Sequence, residues 1–258
     1  MKILFLNAWF GTKADALYDF ILEHESTTDV FCFSEISNEA LAEKTDGSSE
    51  TGVPNLFTEL MKRLGDFEGR FDQSGELECG GTKKNPIGLA LFVRKSVDAD
   101  MWGSVVVNEN AFDDDPDGFE RIMQHVRVKI GDRYAWVNNM HGLALPGSKL
   151  DTPNRIRQSQ SILAEMEKQE GERILGGDFN LELNTESVLM FEKNGYRNLI
   201  REYNIGTTRS DLNRAKYPKE SWQFYADYVF VSNDVKVTKF EVPNLNVSDH
   251  LPLILEIE

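Results

Sequence analysis

Nine strand-length apolar runs recur along the chain and constrain its fold more than any other feature. They are Ile3 to Trp9, Val30 to Phe33, Ile87 to Val93, Ile122 to Ile130, Tyr134 to Asn139, Arg173 to Leu175, Tyr225 to Val231, Val235 to Val242 and Leu253 to Ile257. So many short runs imply more than one sheet. Helical patterns separate some of them. The clearest follows Asp151-Thr152-Pro153, with Ile156, Ser159, Ile162, Leu163 and Met166 on one face, and predicts a helix to about Glu170, before Gly171. A second is expected near Thr12, whose hydroxyl can cap while Asp15 answers it and Ala14, Leu17, Phe20 and Ile21 form the apolar face. Gly131-Asp132, between Val126-Arg127-Val128 and Tyr134-Ala135-Trp136, reads as a tight hairpin, so the sheets are at least partly antiparallel. That argues against a purely parallel, Rossmann-like winding. Neither a repeat nor a Pro-rich linker marks a boundary, and residues 1–258 are expected to form one domain.

A chain of 258 residues can bury roughly three quarters of its unfolded surface, so no disulfide framework is needed. Cys32 sits in an apolar run, where it is expected to be buried, and Cys79 in a glycine-rich loop, and a reducing compartment suits both. The apolar run Ile3 to Leu6 is too short for a signal-peptide core or a membrane span. The expectation is a cytoplasmic protein, monomeric, with no membrane partner.

Lys and Arg total 28 against 43 Asp and Glu, a net charge of −15, so the overall field repels polyanions and any phosphate must be met locally. Charge is uneven along the chain. Residues 109–120 carry six acids (Glu109, Asp113, Asp114, Asp115, Asp117 and Glu120) and read as a solvated loop, without the spacing of a hand-type calcium loop. Residues 193–219 carry seven bases, including Arg209 and Arg214, against Glu202 and Asp211, with aromatics interleaved and Trp222 just beyond. This segment suits contact with phosphates and stacking on a base, or it is simply an exposed loop.

Several polar residues close apolar runs. In Arg173-Ile-Leu-Gly-Gly-Asp178-Phe-Asn180, two glycines break a strand and deliver a carboxylate and a carboxamide two residues apart, on one side if the chain stays extended. A carboxylate that takes a proton from water, beside an amide that donates to a phosphate oxygen, suits phosphoester hydrolysis; the same pair also suits an Asx turn. Asp249-His250 precedes the last strand and Asp227 enters another, so an imidazole oriented by a carboxylate is available to grip a phosphate oxygen. Asn7 and Glu35 end the first two runs; hard oxygens without a thiolate or histidine cluster favour magnesium or manganese over zinc. His141 stands at another strand end.

Asn7, Glu35, His141-Gly142, Gly177-Asp178-Phe179-Asn180, Asp227-Tyr228 and Ser248-Asp249-His250-Leu251-Pro252 follow the order and approximate spacing of the endonuclease/exonuclease/phosphatase superfamily, which the sequence resembles over essentially its whole length. His141 is similar to the deoxyribonuclease I, sphingomyelinase and tyrosyl-DNA phosphodiesterase branches. Two departures stand out: Ser34-Glu35 replaces a common Gln-Glu, and Thr207-Thr208-Arg209 stands where several relatives carry Thr-Trp. The resemblance implies a four-layer α/β/β/α sandwich of two mixed, largely antiparallel sheets with helices outside, forming a single catalytic domain with its site at one end. It implies a Mg2+ ion, replaceable by Mn2+, on Asn7 and Glu35, with Asp249 completing that shell or a second one. Asp178 would orient or deprotonate the attacking water, braced by Asn180. His250, oriented by Asp227, and His141 would bind non-bridging oxygens or protonate the leaving group, while Arg209, Arg214 and Trp222 meet the substrate. The expected activity is a metal-dependent phosphodiesterase or nuclease, with nucleic acid or a nucleic-acid adduct as partner. The alternatives are the same chemistry on a small molecule or lipid headgroup and, last because every motif residue is present, a silent binding module.

Overall fold

The first apolar run is uninterrupted because its strand is covered on both faces. In the computed structural model, which describes residues 1–38, 52–53, 55–79, 83–108 and 119–258, Ile3 and Phe5 point into one apolar cluster while Leu4 and Leu6 point into another. The strands in chain order are β1 (Lys2–Asn7), β2 (Val30–Ser37), β3 (Phe67–Cys79), β4 (Lys83–Arg94), β5 (Ala99–Asn108), β6 (Arg121–Ile130), β7 (Arg133–His141), β8 (Glu172–Asp178), β9 (Tyr196–Asn198), β10 (Asp227–Ser232), β11 (Val237–Glu241) and β12 (Leu253–Ile257). They form two six-stranded sheets, ordered β11-β12-β1-β2-β4-β3 and β5-β6-β7-β8-β10-β9. The helices are α1 (Ala14–Glu25), α2 (Leu56–Arg63), α3 (Pro153–Glu167), α4 (Glu186–Lys193) and the single turns α5 (Leu199–Glu202) and α6 (Asp211–Arg214). Leu17, Phe20, Ile21, Leu56 and Leu60 seat α1 and α2 on the first sheet, and Ile162, Leu163, Met166, Val188 and Phe191 seat α3 and α4 on the second. The four-layer α/β/β/α sandwich is therefore as expected.

Each sheet contains one parallel pair among antiparallel neighbours: β1 with β2, connected through α1, and β7 with β8, connected through α3. In sheets of this kind ligands gather beyond the carboxyl ends of parallel strands. Here the two pairs present those ends to each other, and Asn7 at the end of β1 donates from Nδ2 to Asp178 Oδ2 at the end of β8, at 3.0 Å. The two glycines before Asp178 make the approach possible. A Cβ on Gly176 would lie 2.6 Å from the ring of Phe5, and Gly177 has φ +132°, where a side chain would also meet the Met140 carbonyl. Gly176→Ala is expected to cost about 1–3 kcal/mol by forcing the sheets apart. Urea unfolding checks this, and an unchanged midpoint would mean that Phe5 repacks freely.

Several local expectations shift. β3, β5 and β9 were not among the nine runs; Cys79 ends β3 and does not lie in a loop, while Cys32 is buried as expected. β1 stops at Asn7, before Trp9, because Trp9–Gly11 makes a 3-10 turn. Thr12 then donates its hydroxyl to the Trp9 carbonyl instead of capping, and α1 begins at Ala14 behind Lys13. α3 starts as expected, Thr152 Oγ1 accepting from the Arg155 amide at 3.2 Å, but ends at Glu167 and not near Glu170. The run at Arg173 extends from Glu172 to Asp178, whereas β10 starts at Asp227 and β11 spans only Val237–Glu241. The hairpin turn falls where Gly131-Asp132 placed it, with Ile130 opposite Arg133. Of the acidic run, Glu109, Asp113, Asp114, Asp115 and Asp117 lie outside the described residues. Among the described residues no helix is long and apolar enough to cross a membrane.

Candidate active site

Strand register assembles the site. β7 pairs His141 with Asp178, and β10 pairs Asp227 with the same Asp178, so the three stand side by side at one level. In the facing sheet Asn7 pairs with Ser34, and Glu35 follows. β2 shifts register against β4 between Phe33 and Ile36, and Glu35 there adopts φ 55°. A bulge of this kind re-aims a side chain, and holding a non-glycine residue in the left-handed region costs on the order of 1–3 kcal/mol. β12 starts beside the end of β1, Leu253 opposite Phe5, so Asp249 and His250 just before it reach the same end of the sandwich.

Asp178 is the hub. Its Oδ2 accepts from Asn7 Nδ2 at 3.0 Å and lies 3.6 Å from Nε2 of both His141 and His250. Its Oδ1 accepts from the Asn180 amide at 2.8 Å. The Asp-x-Asn run is thus an Asx turn with Asn180 at φ 55°, not a continuation of the extended strand. Burial alone would raise the Asp178 carboxyl, but His250, His141, Arg209 and Lys149 outweigh it and hold the pKa well below the usual carboxylate range.

The two histidines are driven apart. Burial pushes His141 down to about 3, leaving a neutral imidazole between Asp178 and Glu35. Burial and Arg209 also push His250 down, but the carboxylates of Asp227 and Asp178 win, raising it to about 9. Both Asp227 oxygens lie 2.9 Å from His250 Nδ1, which fixes the ring's orientation. Divergent values at paired sites mark acid and base roles. His250→Ala is therefore expected to cost a hundredfold or so in turnover, and Asp227→Asn, which only loosens the ring, about tenfold. Initial rates of the two variants check the ranking, and the reverse order would undo it.

Oxygen and nitrogen donors suited to a cation cluster here. Ligand atoms of Glu35, His141 and Asp178 lie within 4.8 Å of one another, as do those of Asp178, Asp227 and His250. Asn7 donates from Nδ2 to Glu35 Oε1 at 3.0 Å and accepts at Oδ1 from the Trp9 amide. Burial, and next the Asp249 charge, push Glu35 up to about 7, a cost that a divalent ion beside it would relieve. Asp249 belongs to neither cluster, and its Oδ2 pairs with Lys216 Nζ at 3.0 Å. That ammonium also lies 3.5 Å from the Trp9 ring centroid.

Of the three expected substrate contacts, only Arg209 enters the cluster, its Nη1 meeting His250 Nε2. Arg214 instead pairs with Asp211, donates to the Arg209 carbonyl and lies over Trp222, whose indole donates to the Arg214 and Tyr217 carbonyls. These two brace the segment that carries Arg209. Sequence reasoning missed Lys149, which donates from Nζ to Asn180 Oδ1 and to the Ala144 carbonyl, both at 2.6 Å. It also missed Arg155, whose buried guanidinium donates to the carbonyls of Leu143, Ala144, Pro146 and Leu150 and so shapes the loop carrying Lys149. The only signal for either was position, in and after the loop that follows the strand-terminal His141.

The fold matches known structures along its whole length. A Bacteroides thetaiotaomicron mannosyl-6-phosphatase aligns over 100% of this chain and 99% of its own, with TM-score 0.73 and 16% identity. The catalytic domain of human nocturnin, with bound sulfate, covers 100% of this chain and 93% of its own, with TM-score 0.69 and 18% identity. A humanized Danio rerio TDP2 covers 100% and 98%, with TM-score 0.68 and 14% identity. A sequence comparison with curated proteins finds no match. The sequence model of one family does match, over residues 4–250, a span that takes in Asn7, Glu35, His141, Asp178, Asn180, Asp227, Asp249 and His250. With that match the assembled cluster has its place: the chain belongs to the endonuclease/exonuclease/phosphatase family.

Proposed function

We propose that the chain is a divalent-metal-dependent phosphoric ester hydrolase. The observation that carries this is the convergence of Asn7, His141 and His250, from three separate parts of the chain, on one oxygen of the buried Asp178. Glu35 would hold a magnesium or manganese ion together with Asn7, whose amide must turn its oxygen inward to do so, and Asp249 would have to leave Lys216 to contribute. Once bound, such an ion neutralises charge on the phosphoryl oxygens. Asp178 orients the attacking water and takes its proton as the new P–O bond forms. Asn180 steadies the phosphate. His250, held by Asp227, binds a non-bridging oxygen or gives its proton to the departing ester oxygen as the old P–O bond breaks. His141, neutral, can only donate one hydrogen bond to the phosphate.

Nucleic acid or an adduct of it is the substrate suggested by the basic segment. That segment, however, pairs Arg197 with Glu202, Arg201 with Glu192 and Arg214 with Asp211. These arginines are engaged by local acids, which favours the second reading, a small phosphoester. A panel of phosphoesters, including single-stranded and duplex DNA with defined ends, assayed with and without magnesium, tests both. Metal-dependent release of product from any of them is expected. If DNA is cleaved best, with Arg214→Ala lowering the slope of log affinity against log salt by about 0.7–0.9, the nucleic-acid reading stands. No turnover of any ester would leave only the binding module.

A further inference from the structure

We propose that Arg209 and Lys149 make this a site for a terminal phosphate: together they receive the third non-bridging oxygen that a phosphomonoester has and a diester lacks. The proposal rests on the hydrolase reading and narrows its substrate class. Arg209 is only 5% exposed. Its backbone is held on both sides, Thr208 accepting at Oγ1 from the amides of Ala226 and Asp227, and Ser210 and Leu251 bonding across to Asp249 and Thr208. The backbone that carries the guanidinium is thus anchored between the start of β10 and the segment that leads into β12. Yet among the described residues the one side-chain contact of the guanidinium is that of Nη1 with His250 Nε2, and Nε is buried with no hydrogen bond. An unmet buried donor is costly, more so on a charged group, and the fork of an arginine fits two oxygens of one phosphate.

Lys149 approaches from the other side. It sits at φ 57°, a strained backbone for a lysine, and its ammonium rests on Asn180, next to the hub carboxylate. Arg209 meets His250 and Lys149 meets Asn180, and His250 and Asn180 each lie against the carboxylate of Asp178, at 3.6 and 2.8 Å, so the two cations stand on either side of the same group. A diester presents one negative charge and two free oxygens, which Asn180 and the histidines already serve. A terminal phosphate brings a second charge and a third oxygen, and what remains to take them is the unmet Nε–H of Arg209 and the third N–H of the Lys149 ammonium, whose other two go to Asn180 and Ala144. Hydrolysis then yields inorganic phosphate: the water oxygen joins phosphorus, the P–O bond to the organic group breaks, and the leaving oxygen is protonated.

The test compares p-nitrophenyl phosphate with bis-p-nitrophenyl phosphate on the magnesium-loaded protein, and inorganic phosphate binding to the metal-free protein by calorimetry. The monoester is expected to be preferred in kcat/KM by about tenfold or more. Arg209→Gln and Lys149→Met should each remove most of that preference and weaken phosphate binding by about tenfold, the scale of one charged hydrogen bond. Arg209→Lys, which keeps the charge and loses the fork, should fall between and stands in if the glutamine variant does not fold. Equal loss on both esters, a wild type that prefers the diester, or phosphate binding unchanged in both variants would overturn the proposal. If the wild type hydrolyses neither ester, the hydrolase reading fails instead, while the phosphate titration still reports on Arg209 and Lys149.

Discussion

Asp178→Asn is expected to lower turnover by a hundredfold or more while leaving the protein folded. An amide cannot take a proton from water, so the change removes the group proposed to accept it. Folding should survive because the surviving carbonyl oxygen can still accept from the Asn180 amide, the bond that shapes the turn after β8. The substitution also sets the new amide against Asn7 Nδ2, an N–H donor that now faces the carboxylate, so a modest loss of thermal stability accompanies the loss of rate. Steady-state rates at saturating magnesium, with thermal midpoints measured on the same samples, separate the two effects. Turnover within a few-fold of wild type would make Asp178 a structural residue.

Metal removal is the second large effect. Excess chelator should abolish activity, and magnesium or manganese should restore it, since the donors gathered around Glu35 are predominantly oxygens. Glu35→Ala should raise the metal concentration needed for half-maximal rate by roughly tenfold or more. The left-handed backbone at residue 35 costs alanine as much as glutamate, but the variant loses a carboxylate that burial penalises, so it should be at least as stable as wild type. Full activity in chelator would sink the metal role. A variant that loses rate with an unchanged metal dependence would move Glu35 out of the ligand set.

What could be read from the sequence follows from what each residue depends on. More than one sheet was legible because strands buried on two faces, such as Ile3 to Leu6 and Phe31 to Phe33, must be apolar throughout, while the four-layer sandwich followed from the family resemblance. β3 escaped because its sequence, Phe-Glu-Gly-Arg-Phe-Asp, is mostly polar, and β5 because its burial scarcely alternates and it lies at a sheet edge. Asn7 and Asp178 were legible as polar residues closing apolar runs, and His250 as one just ahead of the last run, a pattern packing alone does not ask for. Their mutual distances depend on register across two sheets, which no local pattern encodes. Lys149 and Lys216 were invisible as site residues for a related reason: a loop lysine has no periodicity, and only the Arg155 bonds and the seat beside Asp249 bring these two inward. Thr12 shows the opposite failure, a good capping sequence overridden by the 3-10 turn that precedes it.

In the proposed reaction the Asp178 cluster drives water onto phosphorus. Hydrolysis in 18O-labelled water, on whichever ester of the panel turns over fastest, reads this directly by mass spectrometry of the two products. The label is expected in the phosphate-bearing product alone, only when magnesium or manganese is present, and at a rate that Asp178→Asn suppresses. Label in the alcohol, or incorporation that is unchanged in Asp178→Asn, would contradict it.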